Sequence, residues 1–133
     1  MGFTESSTTP SATATLAPPV GLDDWRSRLR AATYALYRDL GEGSAPPVED
    51  EIEGLVDLID EGRAEPTAPP TLTRVTAEAL GGAICHEMFF SAVREGSLSP
   101  ESELVPPLMY AAVLPYAGAA SAAEELRIPA PPR

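Results

Sequence analysis

Residues 104–118 read LVPPLMYAAVLPYAG, and within them only the phenol oxygens of Tyr110 and Tyr116 are polar. At helical spacing Leu104, Leu108, Ala111 and Pro115 form one apolar stripe, and Val105, Met109, Ala112 and Tyr116 form another. A surface helix carries one apolar stripe opposite a charged face. A helix apolar on all sides needs cover on all sides. The segment Val75–Val93 has the same character, with the small residues Gly81, Gly82 and Ala83 at its centre, where another helix can come close. In a chain of 133 residues one stripe of each helix can face the core, and little remains to cover the other. The simplest cover is a second copy. The expected interface residues are Gly82, Leu104, Leu108, Ala111, Ala112 and Pro115.

Composition narrows the function classes. The net charge is −11, with nine arginines scattered along the chain and no lysine. Phosphate binding needs clustered cations, so neither nucleic acid nor an anionic membrane is an expected partner. A single cysteine, Cys85, excludes an internal disulfide and a cysteine zinc cluster, and a reducing cytoplasm is the expected compartment. The run Leu104–Ala117 is shorter than the roughly 20 residues that span a bilayer and contains three prolines. Residues 1–21 are rich in Ser, Thr, Ala and Pro, lack the pattern of a signal peptide, and are expected to be a disordered tail.

Order is expected from Leu22. Trp25, Leu29, Ala32, Leu36 and Leu40 recur at helical spacing with Arg26, Arg30 and Arg38 outside, and Gly41 opens the loop GEGSAPP. A second helix enters through Pro46-Pro47 and buries Val48, Ile52, Leu55, Val56 and Ile59, until Gly62 closes it. Its acids, Glu49, Asp50, Glu51, Glu53, Asp57, Asp60 and Glu61, read as a solvated face, since their spacing does not fit a calcium loop. The stretch Glu65–Thr73 is expected to run extended between helices. Ser99-Pro100-Glu101 provides a cap, a first-turn proline and an acid for the last long helix, which Pro106 and Pro107 should kink or restart. Ser121–Leu126 adds a final turn before a Pro-rich tail at 128–133. No segment alternates as a strand would.

The catalytic inventory is thin. His86-Glu87 begins like a zinc-protease motif, but Phe90 stands where the second histidine belongs. Cys85 has no neighbouring cation to favour a thiolate. No nucleophile elbow, phosphate loop or metal-spaced set occurs. Neither enzymatic activity nor any cofactor or metal is expected.

The segments Asp60-Glu61-Gly62-Arg63-Ala64-Glu65 and Leu72-Thr73…Thr76-Ala77-Glu78-Ala79-Leu80-Gly81-Gly82-Ala83, with the closing Glu103–Gly118 and the opening Asp24-Trp25-Arg26…Leu29-Arg30, resemble the C-terminal regulatory domain of TetR-type bacterial repressors. The resemblance covers residues 22–127. It implies an all-α bundle of four to five helices, of which the last two pair with those of a second subunit as a dimeric four-helix bundle. It also implies a pocket for a small apolar effector; by helical periodicity the lining of such a pocket would be Leu29, Leu36, Val56, Ile59, Ile84 and Met88, with Tyr37 and His86 as polar groups. The alternative is that these residues pack together as core. Two parts of the family pattern are missing. The helix-turn-helix unit is replaced by residues 1–21, and only a loop joins Leu40 to Val48 where the family has a helix. The expected function is thus a TetR-like dimerisation and effector domain that does not touch DNA itself. A stand-alone small-molecule binder and a heterodimer partner that titrates a full-length regulator stay open.

Overall fold

Trp25 sits where three helices meet, and its surroundings explain the architecture. The computed structural model describes residues 22–43, 48–95 and 100–132. The expected disordered tail, the Pro46-Pro47 entry and the Ser99 cap lie outside these residues. Within them are five helices and no strand: α1 Leu22–Gly43, α2 Glu49–Asp60, α3 Arg74–Glu95, α4 Glu101–Ala117 and α5 Ala119–Glu125, with a 310 turn at Glu61–Ala64. The fold is all-α, as the patterning requires.

The Trp25 ring is fully buried, its indole N–H donates to the Leu58 carbonyl at 2.8 Å, and it meets Tyr116 edge-on with centroids 5.5 Å apart. One aromatic thereby ties α1 to α2 and α4. Gly62, in the turn after α2, makes the junction possible. A Cβ there would lie 2.5 Å from Trp25 Cζ2 and 2.8 Å from Tyr116 Cγ. Gly62→Ala is expected to cost about 1–3 kcal/mol by overpacking, read as a lower urea midpoint with unchanged helicity; an unchanged midpoint would show that the two rings yield freely.

The N-terminus of α2 is stabilised by three acids in its first turn, and Glu51 accepts a hydrogen bond from the Val48 N–H at 3.0 Å. Val48 is therefore the cap rather than a core residue, and it is 60% exposed. Leu55, Val56 and Ile59 do enter the core. Val56 packs where Gly81 of α3 leaves room, since a Cβ on Gly81 would stand 2.5 Å from Val56 Cγ2. The expected extended linker is instead folded into turns, with Ala68 N–H bonded to the Glu65 carbonyl and Leu72 N–H to that of Pro69. Those turns satisfy backbone groups that an extended run would leave to water.

α4 is one uninterrupted helix despite Pro106, Pro107 and Pro115 within it. The expected restart is absent for a local reason. The three prolines free the carbonyls of Ser102, Glu103 and Ala111, four residues earlier, and all three residues are exposed, so solvent replaces the missing donors. Gly118, at φ +89°, then reverses the chain into α5.

α1 departs from expectation at both ends. It continues through Gly41, and Arg26 is buried rather than outside. The cause is α5, which delivers Glu125 to α1. Arg26 Nε donates to Glu125 at 2.7 Å and Arg30 grips the same carboxylate through Nε and Nη2, each at 2.8 Å. Arg26 Nη1 also reaches Glu124 at 2.9 Å. Further along α1, Arg38 forks onto Glu101 at 3.0 and 2.7 Å and donates to the Pro131 carbonyl at 2.7 Å. Ala130 packs on the core as well. The segment expected as a Pro-rich tail thus touches the helices through Ala130 and Pro131.

Candidate functional site

The two helices that looked apolar all round divide their faces unequally. In α4 the stripe Val105, Met109, Ala112 and Tyr116 is buried, and Val113 joins it. Leu104, Leu108 and Pro115 are half-buried, while Pro107, Ala111 and Leu114 are exposed. Ala112 therefore leaves the expected interface set, because it faces the chain's own core. In α3 the buried residues Ala77, Gly81, Ile84, Cys85, Met88 and Ser91 share one side. The other side carries Val75, Ala79, Gly82, His86 and Phe90, successive at spacings of three or four and all exposed. Val75 is 67% and Phe90 45% exposed. Single exposed apolar residues are ordinary; here they recur as a row along α3 and a second along α4.

Gly82 adds a second sign. Glycine inside a helix costs about 1 kcal/mol relative to alanine, and Gly81 has its reason in Val56. Among the described residues, a Cβ on Gly82 would meet nothing within 4 Å, and nothing calls for glycine at this position.

The expected effector lining takes a different place. Leu29, Tyr37, Val56, Ile59, Ile84 and Met88 all belong to one packed core cluster. Leu29, Ile59 and Met88 have no exposed surface at all. Leu36 is half-buried and faces an open groove between α1 and α2. His86, expected as a polar pocket group, is on the exposed row of α3 with its ring edge-on to Phe90, centroids 4.9 Å apart. The reason is register: Ile84 and Met88 lie one turn apart facing inward, and a residue midway between them points out.

Cys85 and the acids of α2 have structural surroundings that account for them. Burial, aided by the charge of Glu51, pushes the Cys85 thiol up, away from the thiolate. The acidic face of α2 does a structural task. Arg74, opening α3, donates to Glu53 and Asp57 at 2.6 Å each and lies 3.6 Å from Asp60 and 3.7 Å from Glu78. Single exposed pairs are weak, but here one guanidinium serves several carboxylates across two helices. Arg63 holds Asp60 through two bonds at 2.7 and 2.8 Å, and this keeps the Asp60 carboxyl below its ordinary range. Among the described residues no group of three His, Cys, Asp or Glu side chains is placed to hold a metal ion, and no helix is long and apolar enough to cross a membrane.

Sequence reasoning missed the arginine clusters. Their signal was present in the spacing of Arg26, Arg30 and Arg38 along one helix and in the paired Glu124-Glu125, but nothing local shows that α5 folds back onto α1. Comparison with protein-family profiles, curated proteins and solved structures finds no match to the chain.

Proposed function

We propose that the chain forms a dimerisation domain of the kind found at the C-terminus of TetR-type regulators. The observations that support this most are the exposed row of α3, with Gly82 at its middle, and the partly exposed apolar row of α4. Val75, Ala79, Gly82 and Phe90 from α3, with Leu104, Leu108, Ala111 and Leu114 from α4, would meet their counterparts in a second copy. An interface of that type buries on the order of 2,000 Å² in total. The effector role implied by the same resemblance finds less support, since the side chains that would line its pocket are packed against each other. The domain works as an assembly element first.

Sedimentation equilibrium of the full chain tests this. The wild type is expected to be a dimer at micromolar concentration. Ala111→Glu places a carboxylate on an exposed position of the row, where it harms no internal contact. A charge left unpaired in an interface costs several kcal/mol, so association should weaken by roughly a hundredfold or more, with helicity unchanged. A wild-type chain that stays a well-folded monomer defeats the reading.

A further inference from the structure

Glu65 is buried in a stretch that otherwise lies on the surface. Its neighbours Arg63, Ala64, Pro66 and Thr67 are all exposed, whereas Glu65 is only 6% exposed. Among the described residues no donor reaches its Oε1, which is shut off from solvent. A buried carboxylate without donors is costly, and the same group costs far less as the neutral acid. The cation that acts on it, Arg28 of α1, is committed elsewhere: its Nε is bonded to Asp24 at 3.1 Å and its Nη2 to Glu61 at 2.8 Å.

The segment that carries Glu65 also meets the Trp25–Tyr116 junction. Gly62 abuts both rings, Thr67 Oγ1 donates to the Tyr116 carbonyl at 2.8 Å, and Ala68 and Leu72 pack on the core. Turn bonds hold its backbone: Glu65 N–H to the Gly62 carbonyl at 3.1 Å, Ala68 N–H to that of Glu65 at 3.0 Å, and Leu72 N–H to that of Pro69 at 3.3 Å. Such a segment can open without unfolding the helices around it. The titratable and charged groups around it are Asp24 and Arg28 of α1, Asp60 of α2, Glu61 and Arg63 of the 310 turn, and Tyr116 of α4. Arg63 holds the Asp60 carboxyl down, and burial pushes the Tyr116 phenol up. Both therefore keep one charge state where a raised carboxyl titrates.

We propose that residues 63–72 form a strap locked by acid: with Glu65 protonated the strap stays closed, and with Glu65 ionised the side chain swings into solvent and the strap loosens. The exposed residues on both sides leave the carboxylate a short way out. Burial outweighs the pull of Arg28 and raises the Glu65 carboxyl above its ordinary value of 4.5. The closing contribution is therefore complete below that ordinary value and is lost as pH rises through the raised one. The strap shares no residue with the rows proposed for dimerisation, so it operates in a monomer or a dimer alike.

NMR of the full-length chain tests this through two readings, the titration of the Glu65 carboxyl and the hydrogen exchange of the Ala68 and Leu72 amides. The carboxyl should titrate above 4.5, and protection of both amides should fall with the same midpoint. Linkage fixes the size of the effect: in log units, the protection lost equals the distance of that midpoint from 4.5. Met109, buried in α4, should keep its protection throughout. Glu65→Gln, uncharged at every pH, should keep both amides protected with no step. His86→Gln, which removes the chain's one histidine, should leave the step in place. The proposal is overturned if Glu65 titrates at or below 4.5, or if the two amides keep their protection as it ionises. It is equally overturned if Met109 loses protection in parallel, if Glu65→Gln shows the same step or leaves both amides unprotected, or if His86→Gln removes the step.

Discussion

Glu125→Ala is expected to cost about 3–5 kcal/mol, the range for removing one partner of a buried ion pair. Glu125 has no exposed side-chain surface and stands between Arg26, itself 4% exposed, and Arg30. Removing the carboxylate leaves the Arg26 guanidinium buried without the anion that binds its Nε. It also releases α5 from α1, and with it the end of the core where Ala122 is buried. Urea unfolding at neutral pH measures the loss, and a change below about 1 kcal/mol would show that the cluster behaves as a surface pair. A Glu125→Leu, Arg30→Leu double variant should recover part of the loss, since apolar replacements of a buried pair are often tolerated.

The same cluster predicts a pH dependence. Burial pushes Glu125 up, but the hydrogen bonds from Arg30 and Arg26 outweigh it and hold the carboxyl below its ordinary value of 4.5. A group depressed in the folded state stabilises fully above its unfolded pKa, and that contribution is lost as pH falls through the folded one. Asp60, held down mainly by Arg63, acts in the same sense. Glu65 acts in the opposite sense, because burial raises it more than Arg28 lowers it. Its burial is without charge cost in acid and becomes unfavourable as pH rises through its raised pKa. Melting temperatures should therefore drop steeply below about pH 4.5 in the wild type, and less steeply in Glu125→Gln, which has already lost the contribution.

Met88→Ala carries the second large effect. Met88 has no exposed surface and belongs to the same cluster as Leu29, Ile59 and Ile84. In a filled core the substitution leaves a cavity and costs about 2–5 kcal/mol. In an effector pocket it would cost little and change which apolar ligands raise the melting temperature. The core outcome is expected. A Met88→Ala chain as stable as the wild type, and newly stabilised by a bulkier apolar ligand, would restore the effector role.

Patterning alone located much of this molecule. The apolar spacing of residues 25–40, 52–59 and 75–93, with Gly, Pro and acids at the ends, places three helices within a few residues of where they lie. The two stripes of residues 104–116 were also legible, because a 3.6-residue period needs no tertiary information. Which stripe faces inward was not. Both are apolar, and only the packing of Tyr116 on Trp25 and Gly62 selects Val105, Met109, Ala112 and Tyr116 for the core.

What the sequence determined by itself is the all-helical class, the thin catalytic inventory, and the surplus of apolar surface on the last long helices. These follow from composition and from periodicity along a single segment. What only the tertiary structure decided is the role of charge. Arg26 and Arg38 read as solvent-facing, and Glu125 as part of a minor last turn, until Gly118 turns α5 back and brings residues about 100 positions apart within 2.7 Å. An ion pair is a property of two places in space, and a long-range return of the chain leaves no period in the sequence.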